Sequence, residues 1–228
     1  MTLPEIQPLD LDQLAVIART DKASTHHGYT RVYEQYLEPL RQEPITLLEL
    51  GWGGHEDPNG GGQSAWLWRR YFPNATIVVV DIEPKTVRVE GVDLHQGSQA
   101  DPELLKALHD RYGDFDVIID DASHLSSLTI RSWELLYPFL RPGGLYFVED
   151  THMAYHAHFY GAAEANPDPD GRTSTGKPTA MQYLRRLADE VNYHGPGDLE
   201  LFPKRYWLGY SLESVHFYYN LAVIRKAA

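Results

Sequence analysis

The chain has 228 residues, with 20 Lys and Arg against 32 Asp and Glu for a formal charge of −12. That length buries a core without covalent staples, and 43% hydrophobic with 23% charged residues exclude a disordered or fibrous chain. The acidic balance argues against nucleic-acid binding, which needs clustered Lys and Arg, and the lack of cysteine removes disulfides, thiolate zinc sites and cysteine nucleophiles.

The opening MTLPEIQPLDLDQL carries neither a basic nor an apolar export region, and no apolar run reaches the ~18 residues of a spanning helix. A cytoplasmic protein with no membrane partner is expected. Residues 1–40 read as a helical cap, interrupted by the polar stretch TDKASTHHGY at 20–29. Strands are predicted at Thr46–Leu50, Thr76–Ile82, Val92–Gln96, Phe115–Asp121 and Gly144–Asp150. Three of these are nearly continuous apolar runs, as strands covered by helices on both faces require. Helices are predicted between them at Gln63–Tyr71, Asp101–Tyr112 and Ser126–Phe139, with Asp101-Pro102 reading as an N-cap followed by proline in the first turn. Strand alternating with helix implies a parallel, doubly wound α/β sheet. Residues 151–180 are rich in Gly, Pro, Ser, Thr and His, too long for an ordinary connection, and read as a lid or insertion. A helix over Pro178–Val191 follows, then two strands within Ser214–Lys226 joined near Tyr219-Asn220. With no repeat and no linker, 1–228 reads as one domain.

Chemistry gathers at the predicted carboxyl ends of these strands. Glu49-Leu50-Gly51-Trp52-Gly53-Gly54 ends the first strand, where glycines let a ligand approach the backbone. Such a turn also occurs as a plain tight turn, but Asp81 ends the second strand, placed to accept both hydroxyls of a ribose. An acidic residue before the glycines, with no G-x-G-x-x-G, suits a ligand bearing an ammonium group and favours S-adenosylmethionine over NAD. Asp120-Asp121 and Glu149-Asp150 end the fourth and fifth strands. Single acids at such places often cap helices; two adjacent pairs would repel, and a divalent cation relieves them. With oxygen ligands and no thiolate, Mg²⁺, Mn²⁺ or Ca²⁺ is favoured over zinc. His124, three residues past Asp121, is either a general base at this rim or a helix-capping residue. His152, His156 and His158 invite a metal reading but have no partner at suitable spacing; they either shape a substrate pocket or, more simply, are polar loop residues. His26 and His27 reach the rim only if the N-terminal segment folds over it. The stretch beginning Asn166 (NPDPDG) opens like a calcium loop, but Lys177 stands where the final Glu is needed.

The runs ELGWGGHEDPNGGGQSAWLWRRYFPNATIVVVDIEP (49–84), HQGSQADPELL (95–105), FDVIIDDASH (115–124) and RPGGLYFVEDT (141–151) resemble the metal-dependent sugar O-methyltransferases of antibiotic biosynthesis, a class I methyltransferase family. The segments 20–41 and 214–226 resemble it too, so the likeness covers most of the chain. It implies a Rossmann-like class I fold whose mostly parallel sheet ends in an antiparallel C-terminal strand. It also implies an S-adenosylmethionine pocket from Glu49, Gly51 and Asp81, with Gly97, Ser98 and Gln99 around the adenine. Gly53, Ser64 and Asp120 complete the candidate cofactor-binding residues. Mg²⁺ (or Mn²⁺) on Asp121, Glu149 and Asp150 is implied, with His124 as the base and Asp121 as the other candidate catalytic group. Ala122 stands where the family has glycine, and HMAYHAHFYG (152–161) departs from the family's segment, so the acceptor pocket is expected to differ. The expected partner is a small-molecule acceptor, a sugar or glycosylated natural product, with a homo-oligomer compatible. A catechol-type O-methyltransferase and a non-catalytic nucleoside-binding protein of the same fold are the alternatives.

Overall fold

The β-branched runs lie side by side in one sheet. The structure is a computed structural model describing residues 8–192 and 209–228. Its strands are β1 (Thr46–Leu50), β2 (Thr76–Asp81), β3 (Val92–Gln96), β4 (Phe115–Asp120), β5 (Leu140–Val148), β6 (Leu212–Tyr218) and β7 (Leu221–Lys226). They are ordered β3-β2-β1-β4-β5-β7-β6. The first five are parallel, and β7 pairs antiparallel with both β5 and β6, so among the described strands β7 alone is reversed. This is the expected architecture.

Around the sheet run α1 (Leu11–Ala18), α2 (Thr30–Leu37), α3 (Gln63–Tyr71), α4 (Pro102–Tyr112), α5 (Ser126–Leu136), α6 (Ala157–Tyr160) and α7 (Ala180–Asn192). Successive strand residues point to opposite faces. Leu47, Val79, Ile119 and Phe147 therefore pack in one layer with Leu11, Tyr33 and Trp68 of α1–α3. Leu48, Val78, Ile118 and Tyr146 pack in the other with Leu105, Trp133 and Leu187 of α4, α5 and α7. Each such side chain contributes ~1.5–3 kcal/mol when fully buried, which is why the strands are apolar on both faces.

Asp101 caps α4, accepting from the amides of Glu103 and Leu104 at 3.0 and 3.2 Å, with Pro102 in the first turn. The expected N-terminal cap is two short helices joined by turns over 20–29; its residues 1–7 lie outside the described residues. Helix α5 ends at Leu136 and continues as a 3-10 turn to Phe139, while β5 starts at Leu140, earlier than predicted. Asp121, Glu149 and Asp150 lie just past their strands rather than within them. The insertion after Asp150 contains a 3-10 turn at Thr151–Tyr155 and the short α6. Glu164 ties it to the body by accepting from the amide and hydroxyl of Ser127, at 2.8 Å each, at the start of α5. No described helix is long and apolar enough to cross a membrane.

Candidate active site

The carboxyl ends of β1, β2 and β4 open into a cleft of about 350 Å³, within the range of small-ligand sites. Gly51, Gly53, Asp81, Gly97, Ser98 and Gln99 line one part of it, and Asp121, His124 and Asp150 another. Gly51 has φ +103, and a Cβ there would meet the Asp121 carbonyl oxygen at 2.1 Å, so the crossing of the β1 and β4 ends requires glycine. Asp81 is fixed by two amides: Oδ2 accepts from Trp52 at 2.7 Å and Oδ1 from Glu83 at 2.8 Å. Asp81 itself lines the cleft. Gln99 lines the cleft, but its side chain is spent inward. Nε2 donates to Asp120 Oδ1 at 3.1 Å and Ser132 Oγ at 2.8 Å, and Oε1 accepts from the Ser123 amide at 3.1 Å.

Three expected cofactor residues sit behind this wall. Strand alternation turns Glu49 into the α1–α3 layer, where it is fully buried and accepts from Ser64 Oγ at 2.9 Å and Trp68 Nε1 at 3.0 Å. The ammonium near Glu49 is that of Lys22, 3.8 Å away. Burial pushes the Glu49 carboxyl up to about 7, against the pull of Lys22. Ser64 is committed to Glu49. Asp120 turns to the opposite layer, where burial first and the neighbouring Asp121 second raise it to about 8. Asp120 therefore does not join Asp121 at the rim, because adjacent residues at the end of an extended strand face opposite ways.

What does converge is Asp121, His124 and Asp150, whose ligand atoms all lie within 4.8 Å of one another. His124 Nε2 is 3.9 Å from Asp121 Oδ1 and 3.6 Å from Asp150 Oδ2. His124 and Asp150 have φ of 55° and 49°, left-handed conformations that cost a side-chain-bearing residue ~1–3 kcal/mol and persist where the surroundings enforce them.

The sequence did not single out the residues that brace this rim. Lys22, fully buried, donates to Asp121 Oδ2 and lies 2.9 and 3.0 Å from the two oxygens of Glu149. Burial opposes its charge, yet Asp121, Glu149 and Glu49 outweigh that and hold its pKa well above the usual lysine value. Tyr33 donates to Glu149 Oε1, and Tyr29 donates to Asp150 Oδ1 at 2.6 Å. Glu149 is thus buried behind the rim rather than on the cleft wall, its pKa raised well above normal by burial and by Asp121. His27 stacks on Tyr29 with ring centroids 5.2 Å apart, while His26 is exposed. His152 and His156 pack edge to face at 5.3 Å, and burial lowers the His152 pKa. Those two and His158 are outside the only group of metal-ligating side chains found among the described residues.

A glycine-rich turn and a cation-ready rim share the carboxyl edge of a sheet in which β7 alone is reversed; this is the fold of the class I methyltransferases. The chain is a homologue of the sugar O-methyltransferases of antibiotic pathways. It is 38% identical to the 8-demethyl-8-(2-methoxy-alpha-L-rhamnosyl)-tetracenomycin-C 3'-O-methyltransferase of Streptomyces olivaceus, over 96% of this chain and 54% of that protein. It is 33% identical to the mycinamicin VI 2''-O-methyltransferase of Micromonospora griseorubida, over 95% of this chain and 52% of that one. Among solved structures, the MycE methyltransferase of the mycinamycin pathway in complex with Mg and SAH superposes with a TM-score of 0.84 at 32% identity. That match covers 97% of this chain and 54% of MycE. The chain spans about half the length of the curated relatives it matches. No family model matches it.

Proposed function

We propose that the chain carries out S-adenosylmethionine- and Mg²⁺-dependent O-methylation of a hydroxyl on a sugar or glycosylated natural product. The observation that carries this reading is that one cleft holds both the Gly51–Asp81 wall and the Asp121–His124–Asp150 group. The match to MycE, whose structures hold Mg, SAH and, in one case, mycinamycin VI, supports it.

The residues fit both groups. Gly51 and Gly53 leave room for a ligand against the backbone, and the amide-anchored Asp81 carboxylate suits a ribose diol. Gly97, Ser98 and Gln99 wall the adenine end; Glu49, Ser64 and Asp120 act from behind. For the cation, the support is the grouping of Asp121, His124 and Asp150, whose ligand atoms lie within 4.8 Å of one another at the cleft. Asp121 and Asp150 would hold Mg²⁺ through their cleft-facing oxygens, with Glu149 behind them. When bound, the cofactor supplies an electrophilic methyl group, and the cation lowers the pKa of the hydroxyl it holds. His124 Nε2 takes that hydroxyl's proton. Asp121 and Asp150, on either side of the imidazole, stabilise the imidazolium that results. The fixed strand ends align the acceptor oxygen with the methyl group, converting an encounter into an oriented displacement.

The test compares His124→Ala with Asp121→Ala, using a rhamnoside as acceptor. His124→Ala should lose ~10²–10⁴-fold in turnover, the usual worth of a general base, with Mn²⁺ affinity nearly intact. Asp121→Ala should lose activity and metal affinity together, partly restored by excess Mg²⁺. Near-wild-type turnover in His124→Ala would make the histidine structural.

A further inference from the structure

The chain leaves the catalytic rim through a segment dense in rings. The 3-10 turn Thr151–Tyr155 follows Asp150 directly, and α6 continues from it. His152 and His156 pack edge to face at 5.3 Å, and His156 stacks on Phe159 at 6.0 Å with the ring planes 24° apart. The charges of Asp150, His27 and His124 all act on His152, so this ladder of rings starts beside the rim. Its backbone is tied down. The Thr151 amide donates to Asn220 at 3.1 Å, the His156 amide to Met153 at 3.0 Å, the Phe159 amide to His156 at 3.0 Å and the Asn166 amide to Ala154 at 3.0 Å.

The two imidazoles are not spent on hydrogen bonds within the fold. Nδ1 of His152 and Nδ1 of His156 are buried without a partner. A proton there would be a donor sealed away from any acceptor, which is a costly state. Each neutral ring therefore carries its proton on Nε2. Neither Nε2 is sealed in the same way, and neither ring hydrogen-bonds to another described residue. Each is a free N–H donor. At the far end of the ladder Phe159 is 70% exposed, an apolar face whose covering would be favourable.

Donors near the rim and an apolar ring farther out match a ligand that is polar at its reacting end and apolar beyond it. We infer that His152 and His156 are specificity-determining residues for the acceptor. Nε2 of each donates to an oxygen of the sugar beside the methylated hydroxyl, and Phe159 packs against an apolar aglycone. This inference rests on the O-methylation reading proposed above and narrows its substrate to a glycoside with an apolar aglycone.

The test compares methyl and nitrophenyl α-L-rhamnosides as acceptors, with Mn²⁺ and S-adenosylmethionine affinities as controls. His152→Leu and His156→Leu keep an apolar body and lose the donor. Each should raise KM for both glycosides about three- to tenfold, with kcat and both control affinities nearly unchanged. His152→Gln and His156→Gln, whose amide nitrogen takes the place of Nε2, should recover most of that loss. Phe159→Ala should reduce the preference for the aryl glycoside, read as the ratio of kcat/KM values, by about tenfold. Unchanged KM in both leucine variants, a loss in kcat alone, or no recovery with glutamine overturns the donor role. Loss of Mn²⁺ or cofactor binding in the leucine variants makes the rings structural and overturns it too. An unaltered preference in Phe159→Ala overturns the aglycone seat. In each of these cases wild-type transfer to a rhamnoside leaves the O-methylation reading standing. A wild type that neither binds nor methylates either glycoside overturns that reading, and this inference with it.

Discussion

Glu49 offers a measurement in which burial and ion pairing make opposite predictions. Its carboxyl is fully buried, shares Lys22 with two closer acids, and is raised from an ordinary 4.5 to about 7. The folded chain therefore keeps this proton in a range where the unfolded chain has lost it. Because the folded state binds more protons there, stability falls with rising pH at ~1.4 kcal/mol per unit. The fall begins near the unfolded value of 4.5 and ends near 7, a total of ~3 kcal/mol. Glu49→Gln cannot titrate. Whatever its fixed offset from lost hydrogen-bond geometry, its stability relative to wild type should climb across that window and level off above it. Urea denaturation of both proteins in EDTA across this range reads the difference directly. A difference that does not change with pH would mean that Glu49 is ionised throughout, with Lys22 outweighing burial.

Two further outcomes follow from the cleft. Asp81→Ala should weaken S-adenosylmethionine binding about ten- to a hundredfold by calorimetry, the cost of losing charge-assisted hydrogen bonds worth ~1.5–3 kcal/mol; unchanged affinity would remove Asp81 from the pocket. Gly51→Ala should cost ~3 kcal/mol or more and abolish ligand binding, since the new Cβ meets backbone rather than a flexible side chain. A wild-type melting temperature in that variant would show that the β1 and β4 ends can part.

The sheet was legible because its signal is local. Continuous runs such as TIVVVD and FDVIID sit on both-faced burial, and Asp101-Pro102 announces a helix by its own chemistry. Asp121, His124 and Asp150 were legible for a similar reason, since each follows a readable strand end. What misled was parity: Asp120 and Asp121 are neighbours in sequence and face different ways, and Glu49 faces a helix layer, not the cleft. Lys22, Tyr29 and Tyr33 escaped because their partners lie 99, 121 and 116 residues away. Nothing in TDKASTHHGY distinguishes a lysine bound for the interior from one left in water. Tyr29 and Tyr33, four apart and flanked by Val32 and Leu37, read as an apolar stripe, which they also are.

β7 comes last in chain order among the described strands but is not at the edge of the sheet. β7 lies between β5 and β6, and the turn before it presents the Asn220 carbonyl to the Thr151 amide at 3.1 Å and to the Tyr29 hydroxyl at 3.3 Å. Tyr29 is the same group that holds Asp150. During synthesis, the helical cap and the first five strands emerge well before the segment that locks them together, and long-range pairings of this kind form slowly. A nascent chain stopped before residue 220 would expose the β5 edge and leave Tyr29 without one of its two acceptors. The rim therefore matures only when the hairpin docks, so no half-made chain would present it in finished form.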